Sequence, residues 1–330
     1  MHAPDGFLNA GTAVATGAVS LGVIGTAVRQ SKATLKEKQV PLAGIVAAFV
    51  FAAQMFNFPV AAGTTGHLLG GALAAILLGP PVGAIVVSIV VVVQALAFAD
   101  GGLTALGYNV LNMAIVTAFG GWALYRLFRR ILPNTAAGVV TATGLAGGGS
   151  VILSSMAFSL EWLFGATAPI PFDTVLGAMV GVHLFIGIGE GVISGLAIGA
   201  ILVARPDLVY GARDLDRAQM RDRTPIRTRT LVISGILVAL VLGTVVSQFA
   251  ADSPDGLERV AADTGIAASA QDHTLDGFVF ADYATSGIGN ETLSLAIAGA
   301  AGVLITLLVG FGLFAAVRSQ RPRRKQPSGA

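Results

Sequence analysis
The stretch Val82-Gly-Ala-Ile-Val-Val-Ser-Ile-Val-Val-Val-Val-Gln-Ala-Leu-Ala-Phe-Ala99 decides the fold class. It carries no charge, and its polar side chains are Ser88 and Gln94. A helix needs about 20 apolar residues to cross the hydrocarbon core of a bilayer, so this run reads as a membrane span. Further apolar runs lie on either side, at about residues 8–28, 41–57, 65–79, 105–128, 136–163, 174–204, 230–250 and 290–317. The 65–79 run is short, and Pro80 and Pro81 cannot continue a helix out of it. It is expected to be half-inserted or tilted. Whole-chain composition agrees: 54% of the 330 residues are hydrophobic, 12% are charged and the mean hydropathy is +0.78. A soluble domain carries roughly 25% charged residues. The chain is therefore expected to be all-α, a polytopic transmembrane helix bundle of about nine spans.

The loops set the orientation. Arg29, Lys32, Lys36 and Lys38 follow the first run, and Arg126, Arg129 and Arg130 end the fifth. Arg205, Arg213, Arg217, Arg221, Arg223, Arg227 and Arg229 follow the seventh; Arg318, Arg321, Arg323, Arg324 and Lys325 form the tail. If the spans alternate, all of these fall on one face, and Arg259 alone falls on the other. Lys and Arg accumulate on the cytoplasmic side. The N-terminus is thus expected outside and the C-terminus inside. The polar segment 206–229 reads as a cytoplasmic linker. It divides residues 1–205 from a two-span unit, 230–330, whose outer loop is rich in Asp. That loop could concentrate cations near the mouth by electrostatic focusing.

Cysteine is absent, which excludes disulfides, thiolate metal sites and a cysteine nucleophile. The net charge of +2 gives no reason to expect nucleic acid as a partner. Residues 1–27 hold no Lys or Arg but do hold Asp5, so no signal peptide with a basic leading region is visible. The N-terminus is expected to be retained, and His2 is too bulky to favour removal of Met1.

That matters because Met1-His2 offers three consecutive nitrogens: the α-amine, the His2 amide and the His2 imidazole. Together they can wrap one ion in two fused chelate rings. The amide must lose its proton, which takes a strongly binding ion such as Ni²⁺, Cu²⁺ or Co²⁺. One more imidazole completes a square-planar nitrogen site, a geometry typical of Ni(II) or Cu(II). The other histidines are His67, His183 and His273. His67, in Gly63-Thr-Thr-Gly-His67, lies at the outer start of the third run, on the same face as His2. Thr64 or Thr65 is expected to cap that helix. A membrane-embedded His is a functional candidate.

Two further polar groups stand out. Gln94, Asp100, Asn109 and Asn112 fall in one stretch, and Asn109 and Asn112 share a helix face. Such amides can orient a ligating imidazole or simply join helices. His183 and Glu190, seven apart in a glycine-rich run, also share a face. They read as a proton relay, a packing pair or part of a cation path.

The opening Met1-His2-Ala3-Pro4-Asp5-Gly6-Phe7-Leu8 resembles the start of the CbiM/NikM substrate-specific components of energy-coupling-factor transporters, where Ile or Met stands in place of Ala3. Gly63 to His67, Gln94 to Met113 and Gly181 to Gly191 match as well. Ser253-Pro254-Asp255-Gly256-Leu257-Glu258 resembles the hallmark of the PDGLE domain, and Phe280-Ala-Asp282-Tyr283 is a looser match. That domain is similar to the small NikN-like accessory protein of these systems. The resemblance implies a Ni²⁺ or Co²⁺ uptake subunit in the plasma (inner) membrane, with metal ligands Met1, His2 and His67. It implies Asn109, and with less force Asn112, as their supports; Gln94 is a further candidate support by its chemistry. It also implies a transmembrane coupling protein and cytoplasmic ATPase subunits as partners. This chain has no Gly-x-x-x-x-Gly-Lys-Ser/Thr phosphate loop, so it is not expected to hydrolyse ATP or to be an enzyme. A rival reading is a proton-coupled secondary cation transporter that uses His183 and Glu190. A structural membrane protein, with no bound metal, is another.

Overall fold
Inside a bilayer no water pairs with backbone N–H and C=O groups, so apolar runs close their hydrogen bonds within helices. The computed structural model describes residues 1–215 and 226–320 and bears this out. Its main helices are α1 (Ala10–Thr34), α2 (Gln39–Gln54), α3 (Gly71–Leu78), α4 (Pro80–Ala97), α5 (Leu106–Ile131), α6 (Ala136–Gly165), α7 (Phe172–Ala204), α8 (Thr228–Thr244), α9 (Gly256–Thr264) and α10 (Glu291–Ser319). The middle of α5, Val110–Gly120, is wound more widely, as a π-helix. Among the described residues, strand structure is confined to the short antiparallel pair β1 (Phe58–Pro59) and β2 (Thr65–Gly66) and to isolated bridges. Among the described residues, seven helices are long and apolar enough to cross a membrane: α1, α4, α5, α6, α7, α8 with the turn after it, and α10. The chain is an all-α, multi-pass membrane protein. Arg217, Arg221, Arg223, Arg321, Arg323, Arg324 and Lys325 lie outside the described residues.

The third apolar run is not a helix throughout. Helix α3 has 8 residues, about 12 Å of rise. Residues 67–70 before it are non-helical yet buried. Extended backbone at membrane depth is tolerated only where protein satisfies its polar groups, and here two side chains do so. Glu190 of α7 accepts from Leu69 N–H at 2.5 Å and from Gly70 N–H at 3.0 Å. Gln54 at the end of α2 donates to Leu69 O at 3.0 Å. Neither Thr64 nor Thr65 caps α3, contrary to the expectation from sequence. The helix begins later, after a left-handed Gly70, and Glu190 places its carboxylate at the helix's N-terminal end, where negative charge is favoured.

The densest contact joins α6 and α7, where small residues let the backbones touch. A methyl group added to Gly148 would sit 2.7 Å from Gly187 O. Helices α8 and α10 of the C-terminal unit both pack on α2. The C-terminal unit is therefore joined to the first bundle along the helices as well as through its outer loop. At the end of the bundle opposite Met1, Tyr210 meets Trp122 edge-on at 5.2 Å and lies beneath the Arg213 guanidinium.

Candidate metal centre
The N-terminal peptide is held residue by residue. Asn109 of α5 binds both backbone groups of Ala3: its Oδ1 accepts from Ala3 N–H and its Nδ2 donates to Ala3 O, each at 3.0 Å. Gly102 N–H also donates to Ala3 O, at 3.0 Å. The Tyr108 hydroxyl donates to Pro4 O at 3.2 Å. Asp5 gathers the turn before α5. Its carboxylate accepts from Thr104 N–H at 2.7 Å, Leu103 N–H at 3.2 Å and the Thr104 hydroxyl at 2.5 Å. Gly6 has φ +89°, and a Cβ there would press on Ser269 O; only glycine is comfortable in both respects. Asn9 then caps α1 by accepting from Thr12 N–H at 2.9 Å. Each polar residue of Asp5-Gly6…Asn9 thus has a mechanical task, and together they thread the first residues into the bundle.

The threading brings Met1 N to 2.7 Å from His67 Nε2. Two nitrogens bound at right angles to one metal, each about 2.0 Å from it, would be about 2.8 Å apart. The His2 ring stacks on that of His67, with centroids 5.5 Å apart and planes 21° apart. The His2 ring nitrogens are engaged elsewhere: Nε2 lies 3.0 Å from Gln94 Oε1 and Nδ1 lies 3.2 Å from Asp100 Oδ1. His67 Nδ1 sits 3.1 Å from Leu68 O, which leaves Nε2 facing the amine. Among the described residues, no three His, Cys, Asp or Glu side chains form a preset metal cluster.

The electrostatics suit a cation. Burial pushes the His2 imidazole down to about 4, against the pull of Asp100. That shift favours the neutral imidazole, the form that ligates metals. Asp255, just before α9, pairs with the N-terminal ammonium and comes to 3.5 Å from His67 Nε2. Burial disfavours its charge, but the ammonium and His67 prevail and hold the carboxyl well below the usual carboxylate range. Tyr283 donates to Asp100 at 2.5 Å and accepts from Gln94 Nε2 at 3.1 Å, so it joins the two groups that hold His2. A small cavity of about 10 Å³ lies beside the amine and His67, lined by Met1, His67, His183, Asp255 and Gly256 among others.

Of the residues expected from sequence, Met1, His2, His67, Gln94 and Asn109 come together here. Asn112 does not join them; its Nδ2 donates to Glu161 at 2.7 Å, and its backbone carbonyl accepts from Ser154. Ser154 in turn touches Met1 Sδ at 3.2 Å. His183 borders the cavity, with its Nδ1 2.7 Å from Met179 O. Glu190 is fully buried and holds the His67 segment. Four residues were not marked as candidates: Gln54, Asp255, Tyr283 and Glu161. Asp255 and Tyr283 lie in the two PDGLE-like stretches, which was the available signal. Gln54 and Glu161 are polar residues in or beside apolar helices, a signal of the same kind.

The family model "cobalt uptake substrate-specific transmembrane region" (CbiM) matches residues 2–208, and the PDGLE domain model matches residues 229–319. The fused nickel transport protein NikMN of Rhodobacter capsulatus is 30% identical over 97% of this chain and 98% of its own length. A NikMN chain of Archaeoglobus fulgidus is 33% identical over 95% of this chain and 98% of its own. A solved structure described as a truncated transition metal transporter is 32% identical, covers 61% of this chain and 98% of that one, and superposes with a TM-score of 0.54.

Proposed function
Because this chain belongs to the cobalt uptake substrate-specific transmembrane (CbiM) family and carries a PDGLE domain after it, we propose that it is the substrate-binding subunit of an ATP-driven nickel or cobalt uptake transporter. It works in the plasma membrane. The chain crosses about nine times, with the N-terminus outside and the C-terminus inside. Residues 1–205 take the ion, 206–229 link, and 230–330 form the accessory unit.

The ion is substrate, not a resident cofactor. It is held by the Met1 amine, the deprotonated His2 amide, the His2 imidazole and His67 Nε2. The observation that carries this reading is the 2.7 Å approach of Met1 N to His67 Nε2, the separation of neighbouring ligands on a square plane. Chelation by consecutive nitrogens uses the near ring nitrogen of His2, so His2 Nδ1 exchanges Asp100 for the ion while Gln94 remains on Nε2. Asn109 and Asp5 fix the peptide in advance, which lowers the entropic cost of wrapping it around the ion. Four nitrogens in a plane favour Ni²⁺. ATP hydrolysis belongs to separate cytoplasmic subunits that act through a transmembrane coupling protein.

The test is metal content of the purified full chain with a free Met1 amine, beside His2→Ala. Close to one nickel or cobalt ion per chain is expected, lost in the variant. A metal-free wild type, or full loading of His2→Ala, would refute the site.

A further inference from the structure
The C-terminal unit reaches the candidate centre itself. Its hallmark segment is strapped to the His67 loop: Thr65 N–H donates to Pro254 O at 2.9 Å, and the Thr65 hydroxyl donates to Ser253 O at 2.8 Å. The next residue, Asp255, divides its two oxygens between two tasks. Oδ1 caps α9, accepting from Leu257 N–H at 2.8 Å and Glu258 N–H at 2.9 Å, and Glu258 closes the capping box onto Asp255 N–H. Oδ2 points away from the helix, to the Met1 amine and toward His67 Nε2. The segment lies flush against α7. A Cβ on Gly256 would come to 2.6 Å from Ile186 Cδ1 and 3.0 Å from His183 Nε2. Glycine there lets the segment close over the cavity.

We propose that Asp255 is the carboxylate with which the C-terminal unit closes and neutralises the metal site: it pairs with the ammonium in the metal-free chain and faces the cation in the loaded one. This rests on the site proposed above. The donors there are the amine, the amide and two imidazoles, and even with the amide deprotonated a divalent ion leaves the set positive. A buried charge needs a partner. Asp255 already faces the amine and His67, its side chain is 13% exposed, and α9 fixes its direction. An acidic loop that merely gathers cations would need no such aim. The C-terminal unit is thus a wall of the binding site, and its contribution is retention of the ion.

The experiment uses the full chain, loaded with nickel chloride and then challenged with excess EDTA while nickel release is followed. Asp255→Asn and Asp255→Ser both remove the charge, and both keep a side chain that caps helices well. Asp252→Asn removes an exposed charge three residues away and serves as the control. Expected is release at least tenfold faster in both Asp255 variants and unchanged in Asp252→Asn. Release at the wild-type rate from the Asp255 variants would overturn the proposal, as would equal acceleration by Asp252→Asn. A wild type that holds no nickel, or His67→Ala that holds it as long as wild type, would instead refute the underlying site.

Discussion
Asn109 carries the residue-scale logic. One amide side chain binds both the donor and the acceptor of Ala3, and so places the two residues before it. Asn109→Ala strands the buried Ala3 N–H, at about 1–3 kcal/mol, and leaves Ala3 O with Gly102 N–H as its donor. A lowered melting temperature and weaker nickel affinity are expected; wild-type affinity would show that the peptide finds its place without this clamp. On the proposed site, His67→Ala leaves three nitrogens open to water, and nickel is expected to leave it much faster than wild type. That Met1, His2 and His67 come together was legible in the sequence, because chelation chemistry depends on residue type and order. Gln94 and Asn109 were legible as amides where an apolar run ought to have none. Asp255 was not. Its capping box can be read locally, but its other oxygen meets an amine 254 residues away, and no local pattern encodes that distance.

At the scale of elements, the decisive piece is the buried non-helical segment 67–70 leading into α3. Sequence showed the third run to be short and stopped by Pro80-Pro81. It did not show that the chain reaches α3 unwound, because the groups that satisfy this backbone lie on α2 and α7. Glu190 therefore acts as a positioning residue for His67. Glu190→Gln keeps an oxygen that can accept one of the two N–H groups, and is expected to retain bound nickel. Glu190→Ala leaves both donors unmet, at about 1–3 kcal/mol each, and is expected to lose thermal stability and nickel together. Metal content and melting temperature of the pair decide the matter. If instead Glu190 carried protons in a secondary transporter, Glu190→Gln would abolish uptake while Glu190→Ala bound metal normally. The bundle as an element set was easy to read, since long uncharged apolar runs admit few alternatives. Helix ends and the π-wound stretch of α5 were not, since they depend on packing.

At the scale of the whole molecule, two units share one centre. The N-terminal half brings the nitrogens, and the outer loop of the C-terminal half brings Asp255 to Met1 and Tyr283 to the partners of His2. The backbone at this second contact is unusual: Ala99, Asp282 and Tyr283 all have φ between +53° and +58°. Such conformations cost energy and persist where surroundings over-determine them. Burial and Asp100 push the Tyr283 hydroxyl well above its ordinary value, so it remains a donor to Asp100 across the working pH range. Tyr283→Phe frees Asp100 and Gln94 and is expected to loosen His2, seen as faster nickel loss with little change in fold. The fusion of the two units was legible from their hallmark stretches, but their convergence on one point was not.

The measurement that bears most directly on the central claim is nickel content of the full chain carrying an N-terminal extension that a site-specific protease removes immediately before Met1. The extension converts the amine into a peptide nitrogen and changes the identity of no side chain. Expected is a chain that holds no stoichiometric nickel while extended and takes up close to one ion after cleavage. Equal nickel before and after cleavage would contradict a site built on the Met1 amine.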